Sequence, residues 1–260
     1  MHWQNPSLKL EIRRVSPMSK SKNIGWHLIG TENLIREYVL KGDWSDPCSE
    51  CSQIERLGIL DPEWQGLDLE CLRCFPHIRE LRVLSERVRD VAGIQSLSRL
   101  EALTIHRVLP KHLRVDFSRL VSLRRLSITW SEHLSDLDRL TRLQSLELRN
   151  VYGVKHLDLR AHRRLEQLDI GPAKGVERLS LNGLTGLKRL TLAVMPKLTT
   201  IAGDEFLHTI TFLDISGSHA ISPKVLASFT NLRQVVTGTR SKLTQADFPK
   251  CEPDIVRMPI

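Results

Sequence analysis

No run of apolar residues in this sequence approaches the roughly 18 that a membrane-spanning helix needs, so none is expected. The first residues, Met1 to Ser7, lack the basic stretch and following apolar segment of a secretory signal, so no cleaved leader is expected. Cysteine is sparse, and five thiols without an export signal point to a reducing compartment, the cytoplasm. Catalytic signatures are missing too. The sequence has no H-E-x-x-H, no G-x-S-x-G and no Gly-rich phosphate loop, and its ten histidines are dispersed. A zinc protease, a serine hydrolase of the nucleophile-elbow kind and a nucleotide-driven enzyme are thereby disfavoured. Aromatics make up only 5% of the chain.

Positive charge is in surplus, with 38 Lys and Arg against 30 Asp and Glu for a net +8. Such a balance admits nucleic acid or an acidic partner. The arginines are nevertheless spread along the whole chain, and many adjoin a carboxylate, as Arg79 adjoins Glu80. Nucleic-acid binding is therefore the second reading, not the first.

What the chain does contain is a repeat. Leu143-Gln-Ser-Leu146-Glu-Leu148 returns as Leu165-Glu-Gln-Leu168-Asp-Ile170 and again as Leu187-Lys-Arg-Leu190-Thr-Leu192, at intervals of 22 residues. The fourth and sixth places fall on one face of an extended chain and the third and fifth on the other, so each hexad predicts a strand. Counted outward, hexads begin at 54, 78, 100, 123, 143, 165, 187, 210 and 232. Ile35 to Leu40 fits the same pattern. An L-x-x-L-x-L core at a period of about 20 to 29 residues marks a leucine-rich-repeat solenoid. The chain resembles that family in its short, bacterial, internalin-like form.

The resemblance implies an α/β or mainly β solenoid: a right-handed superhelix with a concave parallel sheet of about nine strands. Narrow coils of this kind are best filled by Leu, Ile and Val, which accounts for the few aromatics. Three segments are expected: a cap and first strand over 1–53, repeats over 54–240, and a closing cap over 241–260. Residues 8–29 alternate apolar and polar and predict an N-terminal β-hairpin that covers the end of the stack. Between hexads, apolar residues spaced by three over 69–78 and 88–97 predict 3₁₀-like turns. Val154 to Leu159 and Val176 to Leu181 repeat the hexad itself and predict extended returns. The ninth place of the family's repeat is commonly Asn; here it holds Val108, Ser131, Val151, Ala173, Met195 and Ser218 among others, and never Asn. The turn's backbone groups must then pair with one another or with water.

Cys48-Ser-Glu-Cys51 and Cys71-Leu-Arg-Cys74 are separated by nineteen residues, a spacing known from four-thiolate zinc sites. A structural zinc clipping the cap to the first repeats and plain buried thiols are equally open, with a disulfide third. Glu147 and Asp169 fall at equivalent places of successive hexads, close enough to resemble a carboxylate pair, but a solvated face is the stronger reading. Cys251-Glu-Pro-Asp254 resembles the Cys-x-Asp motif of bacterial leucine-rich-repeat ubiquitin ligases. Its Asp comes one place late, and the few residues after it are not expected to supply the further domain that such ligases need. No enzyme is expected.

The outward places of the hexads supply the candidate binding residues: Arg82, Arg107, Arg125, Trp130, Glu147, Arg149, Asp169, Arg189, Phe212 and Asp214. Trp130 and Phe212 are large groups where the repeat does not require them, and Arg with aromatics dominates interface energetics. The expected function is recognition of another protein along the concave sheet, as in a toxin-neutralising (immunity) protein or an adaptor.

Overall fold

The computed structural model describes residues 24–29, 35–40, 51–134, 136–239 and 241–259. Every hexad from 54 onward becomes a strand that opens at its third place: Arg56–Leu60, Glu80–Leu84, Ala102–His106, Arg125–Thr129, Ser145–Arg149, Gln167–Ile170, Arg189–Leu192, Phe212–Asp214 and Gln234–Gly238. They pair in parallel and in sequence order, with equivalent places aligned: Leu146 opposite Leu168, Leu168 opposite Leu190, Leu190 opposite Leu213. Among the described residues the sheet has 12 strands. Register follows from burial, because a slip of one residue would turn every leucine toward water.

The two ends of the sheet differ. Ile35–Leu40 lies parallel to Arg56–Leu60 on one side and antiparallel to Ile24–Ile29 on the other. The hairpin strand expected over 8–15 lies outside the described residues. At the far end Asp254–Met258 joins the sheet parallel to Gln234–Gly238, with Ile255 opposite Val235. The period therefore runs one coil further than the apolar pattern had indicated.

The return side carries 3₁₀ turns at Glu70–Cys74 and Ala92–Ser96, where apolar residues recur at every third place. His156–Asp158, Arg178–Ser180 and Thr200–Ala202 form a second, three-stranded parallel sheet. The third of these was not legible, since Leu198-Thr-Thr-Ile201-Ala-Gly203 ends on Gly where the hexad asks for an apolar residue. Between the two sheets lies one continuous core of stacked leucine, isoleucine and valine. Each inward side chain stabilises the stack by about 2 kcal/mol through area removed from water.

The corner after each concave strand shows how the fold manages without asparagine. Val108, Val151, Ala173 and Met195 are buried. Backbone groups pair along the corner: Trp130 N–H with Arg149 C=O, Val151 N–H with Pro172 C=O, Ala173 N–H with Val194 C=O. Where the place holds serine, its hydroxyl joins in. Ser131 donates to the Pro110 carbonyl at 2.8 Å, and Ser218 accepts the Met195 N–H at 2.8 Å while donating to the Leu192 carbonyl.

The residue just before this place often takes a left-handed conformation: φ is 68° at Arg107, 55° at Asn150 and 55° at Val194. A β-branched residue is ill suited to it, at a cost of about 1–2 kcal/mol. Val194→Asn, which copies Asn150, is expected to gain about 1 kcal/mol. The midpoint of urea unfolding reads this directly, and an unchanged or lower midpoint would show that the Val194 methyl groups contribute more packing than the turn loses in strain.

Candidate interaction surface

The third, fifth and seventh hexad places project from the concave sheet, and strand register decides which of them meet. Arg82, Arg125, Glu147 and Asp169 line one shallow hollow of about 300 Å³, together with Glu80 and Ser127. Glu80 lies between two guanidinium groups, 3.3 Å from Arg56 Nη1 and 2.6 Å from Arg125 Nη2. Arg125 reaches two coils back because the intervening strand carries only Ala102 at that place.

Within the hollow, Glu147 and Asp169 are cross-strand neighbours, as the repeat predicts. Glu147 is bound by Arg149 Nε and by the Ser127 hydroxyl. Burial would raise its pKa, but the Ser127 and Arg149 hydrogen bonds outweigh burial and hold the carboxyl below its usual value. Asp169 accepts from Gln167 Nε2 at 2.8 Å and has no cation paired with it among the described residues. Arg189 stacks over the Phe212 ring, 3.9 Å from its centre, and Asp214 accepts the Ser216 N–H at 2.8 Å. Arg107 stands apart and binds Glu86 at 3.0 Å.

Trp130 departs from expectation. It is half-buried, leans on the core, and its indole N–H is buried without a partner. It serves as a wedge at the corner more than as an exposed anchor.

The sequence places His106 on the outward face without a role, and Ser127 was passed over. His106 Nε2 lies 2.8 Å from Ser127 Oγ, whose proton goes to Glu147. The signal was available, since both occupy outward places one and two coils before Glu147. Histidine, serine and carboxylate in contact invite comparison with a nucleophilic triad, but the order of donation is different. A triad serine donates to imidazole, which donates to the carboxylate. Here the hydroxyl donates to the carboxylate and the imidazole donates to the hydroxyl oxygen. Burial lowers the His106 pKa, assisted by Arg149, so the ring is a weak base as well. The arrangement orders the surface and does not activate a nucleophile.

Of the four cysteines expected to hold zinc, the structure describes three, Cys51, Cys71 and Cys74. Cys48 lies outside the described residues. Cys51 is buried three places before its hexad, in the core column occupied elsewhere by Phe75, Leu97 and Leu120. Burial pushes the Cys71 thiol up to about 12, with Asp68, Cys74 and Cys51 adding to it, so it stays protonated at neutral pH. Among the described residues no group of three or more His, Cys, Asp or Glu is placed to hold a metal ion. The zinc expectation finds no support there. Cys251 Sγ makes a hydrogen bond to the Phe229 carbonyl at 3.4 Å.

No protein-family model matches this sequence, and no curated protein sequence matches it. Solved structures do. An internalin (InlF) from Listeria monocytogenes is similar at 18% identity and a TM-score of 0.56, over 80% of this chain and 68% of that one. The leucine-rich repeat domain of the type III effector XopL is similar at 23% identity and a TM-score of 0.55, over 71% and 69%. These likenesses establish the leucine-rich-repeat fold. No helix among the described residues is long and apolar enough to cross a membrane.

Proposed function

We propose, from a leucine-rich-repeat fold whose concave side chains are already held in place, that this chain is a protein-binding module without chemistry of its own. One observation carries the reading. Arg189 stacks over Phe212, and two places further along the strands Asp169 and Asp214 face Thr191 from either side, neither of them in an ion pair among the described residues. Such preordered Arg and aromatic groups lose little entropy on binding and supply the anchors of protein interfaces. The ion pairs around Glu80 and Glu147 fix the neighbouring guanidinium groups at little energetic gain to the fold itself.

A surface of this kind suits a toxin-neutralising (immunity) protein or an adaptor of a bacterial cytoplasm. The free thiols of Cys71, Cys74 and Cys251 fit a reducing compartment. We assign 54–240 to the repeats, 1–53 to the entry cap with the first strand, and 241–260 to the closing segment.

The test is capture from a lysate of the source organism on immobilised protein, with mass spectrometry. Asp169→Lys with Phe212→Ala is expected to reduce recovery of the partner at least tenfold, about 1.4 kcal/mol, with unchanged circular dichroism. Equal recovery by the folded double variant would remove the concave sheet from the function.

A further inference from the structure

The arginines that look scattered along the sequence converge on one edge of the solenoid. Arg99, Arg142 and Arg164 each stand one place before a hexad, Arg163 one place earlier still, and Arg124 at the second place of its own hexad. The backbone shows that the second places stack coil upon coil, and the residues just before each hexad lead directly into that ladder. Arg124 and Arg125 N–H both donate to Glu101 C=O, Gln144 and Ser145 N–H to Arg124 C=O, and Glu166 and Gln167 N–H to Gln144 C=O. Adjacent coils are about 4.8 Å apart along such a ladder. Five exposed guanidinium groups therefore share the strand-entry edge of four successive coils.

The local carboxylates do not neutralise them. Glu101 is taken by Arg79 at 2.6 Å, and Glu166 by Lys188 at 3.5 Å. Arg99 is hydrogen-bonded instead to His77 Nδ1 at 3.0 Å, and no carboxylate pairs with Arg124, Arg142, Arg163 or Arg164 among the described residues. The contrast with the concave face is sharp, since there Arg56, Arg125, Arg107 and Arg149 are all paired.

We propose that this edge is a second interaction surface, which grips the phosphate backbone of a nucleic-acid duplex without regard to sequence. Two features choose this polyanion over an acidic protein segment. The residues between the arginines are small and polar (Ser98, Ser122, Thr141), so the edge has almost none of the apolar anchors that a protein interface needs, Val121 excepted. Phosphate contacts need no such anchors; they draw on counterion release and on the bidentate fit of guanidinium to phosphate. The arginine edge also carries no Phe, Tyr or Trp, the large rings on which single strands stack, and His77 beside Arg99 is engaged by that guanidinium.

The experiment is fluorescence anisotropy with a labelled mixed-sequence DNA duplex of about 20 base pairs, between about 50 and about 200 mM salt. About four phosphate contacts predict a log–log slope near −3.6 and roughly a hundredfold loss across that range. Arg124→Glu, Arg142→Glu and Arg164→Glu together are expected to weaken binding at least tenfold and flatten the slope. Phe212→Ala, on the concave face, is expected to leave duplex binding unchanged, which separates this surface from the one above. Absence of binding at low salt, a flat slope, or full binding by the triple variant would overturn the proposal. Tighter binding of a Glu-rich peptide than of the duplex would overturn it in favour of an acidic protein.

Discussion

Gly93→Ala is expected to cost about 3 kcal/mol of stability, although it adds a single methyl group. Gly93 is buried in the 3₁₀ turn Ala92–Ser96, which rests on the turn of the coil before it. A Cβ at this position would sit 1.9 Å from the Leu69 carbonyl oxygen and 2.4 Å from its carbon. Both are backbone atoms of a neighbouring coil, so no rotamer change can relieve the contact and the two coils must separate. Separation opens the leucine core beneath, where lost packing adds to the strain. Gly153→Ala is the control: its φ is +71°, yet nothing lies within 4 Å of a new Cβ. That change carries only the left-handed penalty, about 1 kcal/mol. Equal losses for the two variants in urea unfolding would show that the Gly93 contact is not what the glycine is for.

His162→Leu is expected to stabilise the protein by about 2 kcal/mol near neutral pH and by more in mild acid. His162 is buried in the column three places before each hexad, where other coils hold Leu97, Leu120, Leu140, Leu184 and Leu207. Burial lowers its pKa from 6.5, against smaller opposing effects of the Leu140 carbonyl and Asp138. Its Nδ1 donates to Leu140 C=O at 3.2 Å, but that carbonyl already accepts the Leu143 N–H, so leucine would orphan nothing. The sign of the pH effect follows from the lowered pKa. The folded ring stays neutral while the unfolded ring takes up a proton below about 6.5. Stability from this site is complete above that pH, declines as pH falls toward the folded pKa, and then levels off. Carboxylates titrate in both proteins, so the informative quantity is the difference between His162→Leu and wild type. A gap that stays constant between pH 7.5 and 5.5, roughly one unit either side of the free value, would refute the assignment.

The strands were legible because burial is periodic: Leu146, Leu168 and Leu190 must all point inward, and 22-residue spacing allows only one way to stack them. Asp254–Met258 was less visible, since it offers Ile255 and Val256 to the sheet but no leucine frame around them. The fate of individual outward side chains was harder to read. Whether Arg125 stands free or reaches Glu80 depends on the size of Ala102 in the strand between. Whether Trp130 is exposed depends on how the corner after its strand folds back. The His106–Ser127–Glu147 contact crosses three strands, and only coil-to-coil register brings it together. The edge arginines were present in the sequence but read as dispersed, because residues some twenty apart become neighbours in a solenoid.

The reach of Arg125 past Ala102 to Glu80 has a mechanical side. Most contacts in this stack join a coil to the next one, so each joint can flex by itself. A charged strut across three strands resists that flexing, because flattening the sheet there would stretch both its ends away from each other. From Gln167 to Gln234 no comparable strut spans the sheet among the described residues. A partner laid along the molecule would meet a sheet tethered across three strands near Arg125 and joined only strand to strand beyond Gln167.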